Sequence, residues 1–491
     1  MDGLTTVLWQ PAVSIIVLLT ASLFIWVIGE KGEKAVTAIS ASAITAALLF
    51  LAPLSPYVLA GHVQVIRYSI LPPFGLSFRV ELLSISLALL FLFTGLVLTF
   101  YTGAYPLESG KRRFRTVFLF VLACSVGVVL AGDLLSLFLF FEAMSLSFFI
   151  LVIHNREQET ISATFKFLYM TIGGSVMYFI ALAAVFNQAG ELAWRDGGIM
   201  TAGGPYTLLA FIGFVVAFGM KAGMFPLHLW MPDAYGQAPA PAVTLSSMIM
   251  LKTGAYGILR ITHHIFGIDL LRDVSWHNYV LVLAVISILY GSSCAFATRD
   301  LMRRLAYSGI AQLGYITLGI TMLTPDALTG GVYHIMAHAM MKGTLLLCAG
   351  AILAKTGKRN IDDLAGIGWK MPFTMICFSI AALTAVGLPP MNIFISKWHL
   401  GLGALDAGQP LLLVVLLISS MLNAAYYLPI AIAAFFGERN HDLHEKLSWD
   451  RLPLGMSLSI VVLTVGCLAF GLGQINIPLQ WARAITAGFF Y

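Results

Sequence analysis

Stretches of about 20 apolar residues recur from end to end of this 491-residue chain. A helix needs about that length to cross the hydrocarbon core of a bilayer. The composition is 59% hydrophobic and only 10% charged, whereas a soluble domain carries about 25% charged residues. The pattern therefore predicts an all-α polytopic membrane protein with about fourteen transmembrane helices.

Composition also excludes several classes of function. The five cysteines lie in apolar stretches, and no two of them form a CxxC pair. Buried, unpaired cysteines usually act as small hydrophobic residues, so we expect no iron–sulfur cluster, other cofactor or metal in this chain. The formal net charge is +5, but the basic residues are scattered over short loops, so we expect no nucleic-acid partner.

Basic residues collect in alternate loops. The loops after even-numbered spans contain little beyond Arg67, Arg79, Arg195 and Arg272. Because positively charged loops remain in the cytoplasm, the richer set predicts cytoplasmic loops and puts both termini on the outer side. That richer set, after odd-numbered spans, is Lys31, Lys34, Lys111, Arg112, Arg113, Arg115, Arg156, Arg299, Arg303, Arg304, Lys355, Lys358, Arg359, Lys370, Arg439, Lys446 and Arg451.

The stretch Phe211–Arg260 contains two apolar segments around a proline-rich turn, and each segment carries one lysine, Lys221 or Lys252. A charged side chain at the centre of a span costs roughly 2.5–3.5 kcal/mol on insertion scales, so such residues are rare and usually functional. Pro226 predicts that the first helix breaks just after Lys221. For Lys252, the alternative is that its long side chain reaches the membrane surface.

A second broken helix is predicted at Pro389 and Pro390, close to Lys397. The two breaks fall in matching blocks of five spans, and an odd number of spans inverts the second block relative to the first. Inverted repeats with broken helices at matching positions are typical of transporters. We therefore divide the chain into an N-terminal three-helix segment, two inverted five-helix repeats, and a C-terminal helix with its tail: residues 1–112, 113–278, 279–437 and 438–491.

Ionisable residues in other spans extend this pattern. Glu142 lies within a run of Leu and Phe residues, and we expect it to act with Lys221, since a nearby carboxylate favours the charged form of a lysine. The alternative is a structural acid that pairs with a cation on a neighbouring helix. Nothing in the chain resembles a nucleophile with its base, so we expect no catalytic residues.

His334, His338 and Lys342 follow each other at intervals of four, so they line one face of a helix. Histidine suits a proton relay because its ordinary pKa is near neutrality. Zinc binding by the two histidines and simple packing remain alternatives, although Lys342 would repel a cation. Lys397 could instead be an anchor at the membrane interface, beside Trp398.

Five motifs carry a family resemblance: KAGMFPLHLWMPDAYGQAPAP from Lys221, MLKTGAYGILR around Lys252, RRLAYSGIAQLGYI from Arg303, HIMAHAMMKGTLLL from His334 and GLPPMNIFISKW from Gly387. The chain resembles the antiporter-like subunits shared by respiratory complex I (NADH-quinone oxidoreductase), membrane-bound hydrogenases, formate hydrogenlyases and Mrp-type multisubunit sodium/proton antiporters. The resemblance implies fourteen spans in two inverted repeats. It also implies that Glu142 and Lys221 form the first half-channel, Lys252 and the histidines the connection, and Lys397 the exit.

Two functions are consistent with these residues. The first is a proton-translocating subunit of a redox-driven complex of the hydrogenase or complex I type, with the redox centres in other chains. The second is a subunit of an Mrp-type sodium/proton antiporter without redox chemistry. Both predict further membrane subunits as partners, including other antiporter-like subunits, in a prokaryotic-type cytoplasmic or equivalent energy-transducing membrane. A solute permease is a weaker third hypothesis, because a row of lysines suits protons better than a bulky substrate.

Overall fold

A computed structural model describes residues 9–28, 32–71, 74–107, 109–155, 157–437, 450–472 and 476–490. Four of the basic loop residues that predict the orientation, Lys31, Arg156, Arg439 and Lys446, lie outside these ranges. Within them, eleven helical segments are long and apolar enough to cross a membrane, and Pro372–Val386 and Leu454–Ala469 are shorter apolar helices. The prediction of a polytopic helical membrane protein is confirmed at this level.

The first half of the described chain contains these helices: α1 (Gln10–Ile28), α2 (Glu33–Leu51), α3 (Ser55–Leu59), α4 (Leu82–Ala104), α5 (Lys111–Leu130), α6 (Leu134–Val152), α7 (Gln158–Ala189), α8 (Pro205–Ala222), α9 (Met231–Gln237), α10 (Ala240–Leu245), α11 (Leu251–Arg260) and α12 (Ile268–Val274). The second half contains α13 (His277–Ala297), α14 (Leu301–Thr321), α15 (Pro325–Thr356), α16 (Pro372–Val386), α17 (Asn392–Asp406), α18 (Leu411–Phe436), α19 (Leu454–Ala469) and α20 (Ile477–Phe490).

A β-hairpin connects α3 to α4. Strands β1 (Gln64–Leu71) and β2 (Phe74–Val80) pair antiparallel, with Val65 opposite Arg79. The alternating pattern around residues 63–67 predicts this hairpin, and the structure confirms it. The Gly132 amide just before α6 donates to the Ser77 carbonyl of β2 at 2.7 Å, so the hairpin covers one end of the helical bundle. We call that end the hairpin side.

The helices that carry Lys252, His334, His338 and Lys342 are also the most deeply buried. Every residue is buried from 239 to 267, which includes α10 and α11, and again from 327 to 352 in α15. Short π-helical stretches, Ser246–Met250 and Ile261–Phe266, stand on either side of α11. Single-turn π-helical insertions frequently mark functional sites. Because these segments are completely buried, the surrounding helices shield their polar side chains from lipid.

Two helices are interrupted inside the bundle. Helix α8 ends at Ala222, and Pro226 lies in the segment before α9 begins at Met231; α16 ends at Val386, and Pro389 and Pro390 lie before α17. Each interrupted helix is followed by a glycine with positive φ, Gly223 at 67° and Gly387 at 88°. That left-handed conformation is a common way to end a helix and is costly for other residues.

The C-terminal segment contains one element that the hydropathy pattern does not predict. The pattern indicates only a tail after the last predicted span, whereas Ile477–Phe490 form helix α20. The apolar face of α20 buries Ala482 and Ile485, and Phe489 stacks on His263 with ring centroids 4.4 Å apart. A short amphipathic helix of this kind packs its apolar face against the rest of the protein and is too short to cross the membrane.

Candidate functional site

Lys221 occupies the last turn of α8 and is fully buried. Its Nζ atom lies 5.4 Å from the ring centroid of Phe141 and 5.1 Å from that of Phe167, which are favourable cation–π positions. Among the described residues, Nζ has no hydrogen-bond partner. The C-terminal end of a helix also favours a cation. Aromatic faces and a helix end thus surround this ammonium group.

Glu142 lies on α6 beside Phe141 and is partly buried. Its Oε1 atom accepts a hydrogen bond from the Ser175 hydroxyl of α7 at 2.6 Å. No salt bridge joins it to Lys221 within the described residues, although the two charges are close enough to interact electrostatically. The direct pairing of Glu142 with Lys221 therefore stays a prediction.

Lys252 lies on α11 and does not extend to the membrane surface, because its side chain is completely buried. Nζ donates to the backbone carbonyl of Ser247 and lies 2.6 Å from Nδ1 of His338. The second lysine of the central stretch thus contacts a histidine that is 86 residues away in sequence.

The two histidines of α15 form the next step. Their rings are nearly parallel, with centroids 5.9 Å apart and an interplanar angle of 18°. His334 Nε2 lies 3.0 Å from Gln312 Oε1, and Nδ1 lies 2.8 Å from the hydroxyl of Ser396. With Gln312 as acceptor, Nε2 carries the ring hydrogen and Nδ1 accepts from Ser396. His338 Nε2 is buried and has no partner among the described residues.

Lys397 follows Ser396 on α17. Its Nζ atom donates to the Val386 carbonyl at 2.9 Å and to the Ser420 hydroxyl at 2.8 Å, and it lies 5.1 Å from the ring centroid of Tyr315. Val386 is the last residue of the interrupted helix α16. The ammonium group therefore occupies the free carbonyl end of a half-helix, where a cation is favoured.

Lys342 has its own hydrogen-bond partners, separate from those of this line of groups. Its Nζ atom donates to the hydroxyl of Ser308 and lies 3.3 Å from the hydroxyl of Tyr427. Ser308 and Tyr427 are themselves 2.7 Å apart. Within the described ranges, no group of three or more His, Cys, Asp or Glu side chains is positioned to hold a metal ion.

The structure thus brings Lys252, His338 and His334 together, one after another. His334 then contacts Ser396, the residue before Lys397 in α17. Lys221 and Glu142 stand apart from that chain of contacts. The helices that carry Lys221 and Lys252 nevertheless pack very closely. A Cβ atom added to Gly254 of α11 would come within 2.5 Å of the Ala222 amide nitrogen at the end of α8. The backbones of α8 and α11 therefore touch beside the two lysines.

Sequence reasoning missed the neutral partners of these charges. Gln312 and Tyr427 could have been found, since strongly polar side chains inside a span are uncommon and usually functional. The serines give no such signal, because serine is frequent wherever transmembrane helices pack closely. The serines concerned are Ser175, Ser308, Ser396 and Ser420.

The fold and the site together define an integral membrane protein whose interior is lined by lysine, histidine and glutamate. A family model described as NADH:quinone oxidoreductase/Mrp antiporter, transmembrane, matches residues 131–423. The chain belongs to this family, and the resemblance seen in its motifs is confirmed.

Three similar proteins illustrate the range of the family. NADH-quinone oxidoreductase subunit N of Desulforudis audaxviator is 35% identical over 82% of this chain and 83% of the relative. A Na(+)/H(+) antiporter subunit of Alkalihalophilus pseudofirmus is 30% identical over 75% of each chain. A chain of the archaeal membrane-bound sulfane sulfur reductase has the same fold, with a TM-score of 0.84, 22% identity, and coverage of 97% of this chain and 96% of that one. The chain is thus an antiporter-like membrane subunit.

Proposed function

We propose that this chain conducts protons through the membrane along a buried row of lysine, histidine and glutamate side chains. One observation carries the proposal: Lys252, His338 and His334 follow one another at contact distances, and Ser396 links His334 to the helix of Lys397. Lysine and histidine can both release and accept protons, and a buried path between them avoids the cost of moving a bare charge through lipid.

The first half of the row would load the proton. An ionised Glu142 favours protonation of Lys221, and moving or protonating that carboxylate would release the proton again. Lys221 has no hydrogen-bond partner among the described residues, so little holds its ammonium group in one position. The interrupted helix beside Lys221 leaves free backbone groups that can bind water, and water there would connect Lys221 to Lys252.

The second half of the row would carry the proton to the exit. His338 faces Lys252, His334 stacks on His338, and Lys397 lies beyond Ser396. We propose that Lys342, held by Ser308 and Tyr427, forms a branch of the same path. Its approach to two hydroxyl groups supports this, because hydroxyls can pass a proton by rotating.

We propose the finer architecture on the same basis: fourteen crossings, two inverted five-helix repeats at 113–278 and 279–437, and both termini on the outer side. The matching interruptions of α8 and α16 support the repeats, since each brings the carbonyl end of a half-helix close to a lysine. The basic loops support the orientation, which puts the hairpin side outside.

We propose that the chain works in a redox-driven complex with other membrane subunits, and that it holds no cofactor itself. The names of similar proteins support a multisubunit partner, since they include an NADH-quinone oxidoreductase subunit and an archaeal respiratory complex. The alternative, a subunit of an Mrp-type sodium/proton antiporter, is supported equally by the similar Na(+)/H(+) antiporter chain. Protons, and sodium in the alternative, would be the ions moved.

Replacing Lys221 with arginine tests the proton-loading step. Arginine keeps the positive charge, yet it does not release its proton at any working pH. We expect proton translocation by the assembled complex in vesicles to fall roughly 100-fold, the size of a typical proton-transfer contribution. The matched control is Lys34→Arg, because Lys34 is exposed. Translocation at the wild-type rate in Lys221→Arg would remove this lysine from the path.

Purification with the native partners separates the redox and antiporter alternatives. We expect the isolated complex to show iron–sulfur absorbance, contributed by other chains, and to acidify or alkalinise vesicles when an electron donor is added. Sodium-driven proton movement in a complex without that absorbance would instead support the Mrp-type alternative. The control is the same preparation with the proton gradient collapsed by an uncoupler.

A further inference from the structure

A cavity of about 160 Å³ opens at the hairpin side of the protein. Its rim includes the exposed His62 and Asp196, and its inner wall includes the buried Glu81 and His264, with Phe489 of α20 on one side. Glu81 also contacts Arg260, the last residue of α11. A single side chain therefore separates the cavity from the end of that helix.

A polar column leads from this cavity toward the centre of the protein. Lys252, Tyr256, Arg260 and His264 recur every four residues along α11 and its π-helical extension. Arg260 Nε donates to the Tyr256 hydroxyl at 2.7 Å, and Nη1 lies 3.1 Å from His264 Nε2. One helical turn, about 6 Å of rise, separates Tyr256 from Lys252. This column gives a proton on Lys252 a second possible way out, besides the path through Lys397.

Arg260 stands in the middle of that column and is completely buried. Its guanidinium contacts Glu81 Oε1 at 2.5 Å and donates to the Ser84 hydroxyl at 2.9 Å. It also lies 5.6 Å from the ring centroid of Trp194. Arginine does not release its proton in proteins, so it cannot pass one along. A fixed positive charge in a pore also excludes protons and other cations.

Two neighbours of Arg260, Glu81 and Tyr256, cannot relay a proton around it. Burial raises the pKa of the Glu81 carboxyl, but Arg260 and Arg79 outweigh burial and bring that pKa to about 2. Glu81 therefore stays ionised and serves to hold the arginine. The Tyr256 hydroxyl accepts from Arg260 and donates to the Val129 carbonyl at 2.9 Å, so its only hydrogen points away from Lys252.

We propose that Arg260, held by Glu81, is the barrier that stops protons on Lys252 from escaping into the hairpin-side cavity. The barrier directs each proton across to the second half of the protein and out by Lys397. This inference rests on the proposed proton-conducting function, and it assigns Arg260 the role of fixing the route rather than carrying the proton.

A purely structural role is the alternative to be tested. Arg79 bridges Glu81 at 2.5 Å and Asp196 at 2.8 Å, so the whole cluster also ties the hairpin and the segment after α7 to α11. The two roles differ in which ion pairs they require. A barrier depends on the buried Arg260 and Glu81 pair, whereas a tie depends on the outer Arg79 and Asp196 pair as well.

The experiment measures passive proton leak in vesicles that hold the assembled complex, with no electron donor or sodium gradient. The test variant is Arg260→Gln with Glu81→Gln, which removes the charges of this pair together and keeps polar side chains in the column, while Arg79 retains its partner Asp196. We expect the imposed pH gradient to collapse at least about fivefold faster than in the wild type, since a hydrated polar path without a fixed charge conducts protons. An unchanged leak in the assembled variant overturns the proposal.

Three further variants keep the result decisive. Asp196→Asn is the matched control, because it removes the outer ion pair and leaves both arginines on Glu81. We expect its leak to stay at the wild-type level; an equal leak in Asp196→Asn and in the double variant would mean a structural tie instead. Arg260→Lys preserves the charge and the pairing with Glu81 but can release a proton, so it should leak even where the double variant fails to assemble. Adding Lys252→Met to the leaking variant should abolish the leak, and a leak that persists contradicts a route through Lys252.

The barrier and the proposed function fail in different ways. A wild-type complex that moves no protons under any drive would overturn the proposed function. Normal proton translocation in the wild type, together with a tight Arg260→Lys variant, would overturn only the barrier.

Discussion

Replacing Glu142 with glutamine is expected to stop proton translocation almost completely while the complex still assembles. Glu142 is partly buried on α6, and its carboxylate accepts a hydrogen bond from Ser175 at 2.6 Å. Glutamine has nearly the same shape, and its carbonyl oxygen can keep the bond to Ser175. Only the charge is lost. Without it, nothing would switch Lys221 between its protonated and neutral forms.

Translocation in reconstituted vesicles, normalised to the amount of assembled complex, is the measurement for Glu142→Gln. We expect a fall of roughly 100-fold or more, the range of a lost proton-transfer group. Glu159→Gln is the matched control, since Glu159 is exposed and accepts a hydrogen bond from Gln237 at 2.9 Å. If Glu142 is only a structural acid, its substitution would lower assembly and leave translocation per complex unchanged.

Replacing Lys397 with alanine is expected to stop translocation at the other end of the row. The ammonium group of Lys397 binds the carbonyl end of α16 and the Ser420 hydroxyl, and in the proposed path it would receive the proton that arrives by His334. Alanine removes the acceptor and leaves the first half able to take up protons. A Cβ atom on Gly387 would lie 3.0 Å from Lys397 Cδ, so this lysine also needs the glycine beside it.

The alternative for Lys397 is an interface anchor shared with Trp398. Trp398 is 58% exposed and points outward, so Trp398→Ala is the matched control for losing an anchor. We expect translocation per assembled complex to drop at least about tenfold in Lys397→Ala and to stay normal in Trp398→Ala. Lys397→Glu should keep partial activity, because an acid can also hold a proton there. An unchanged ratio in Lys397→Ala would remove this residue from the path.

Much of the architecture could be predicted, because individual residues in the sequence indicate the buried positions and the helix breaks. A lysine inside an apolar run with a proline close by, as at Lys221 and Pro226, is energetically costly in a bilayer. Few structures other than a broken helix surrounded by protein or water can accommodate it. The interval of four from His334 to Lys342 likewise predicts one helix face. The hairpin followed from its alternating residues. Helix α20 was missed because an amphipathic helix of 14 residues is too short to stand out in a hydropathy pattern.

The contacts that join these residues could not be predicted. Lys252 touches His338 across 86 residues of sequence, and His334 touches Ser396 across 62. Such pairs depend on which helices become neighbours, and many packings of similar apolar helices satisfy the same hydropathy pattern. The pairing of Arg260 with Glu81 from a distant loop is of the same kind.

The sequence by itself determined which side chains are too costly to bury without a purpose, because that cost belongs to each residue and to its depth in the membrane. Only the tertiary structure decided which of them meet. Glu142 and Lys221 stand near each other without a direct bond, whereas Lys252, His338 and His334 are in contact. Electrostatic and hydrogen-bond energies fall off within a few ångströms in a hydrated protein, so a row of residues becomes a path only when packing closes those distances.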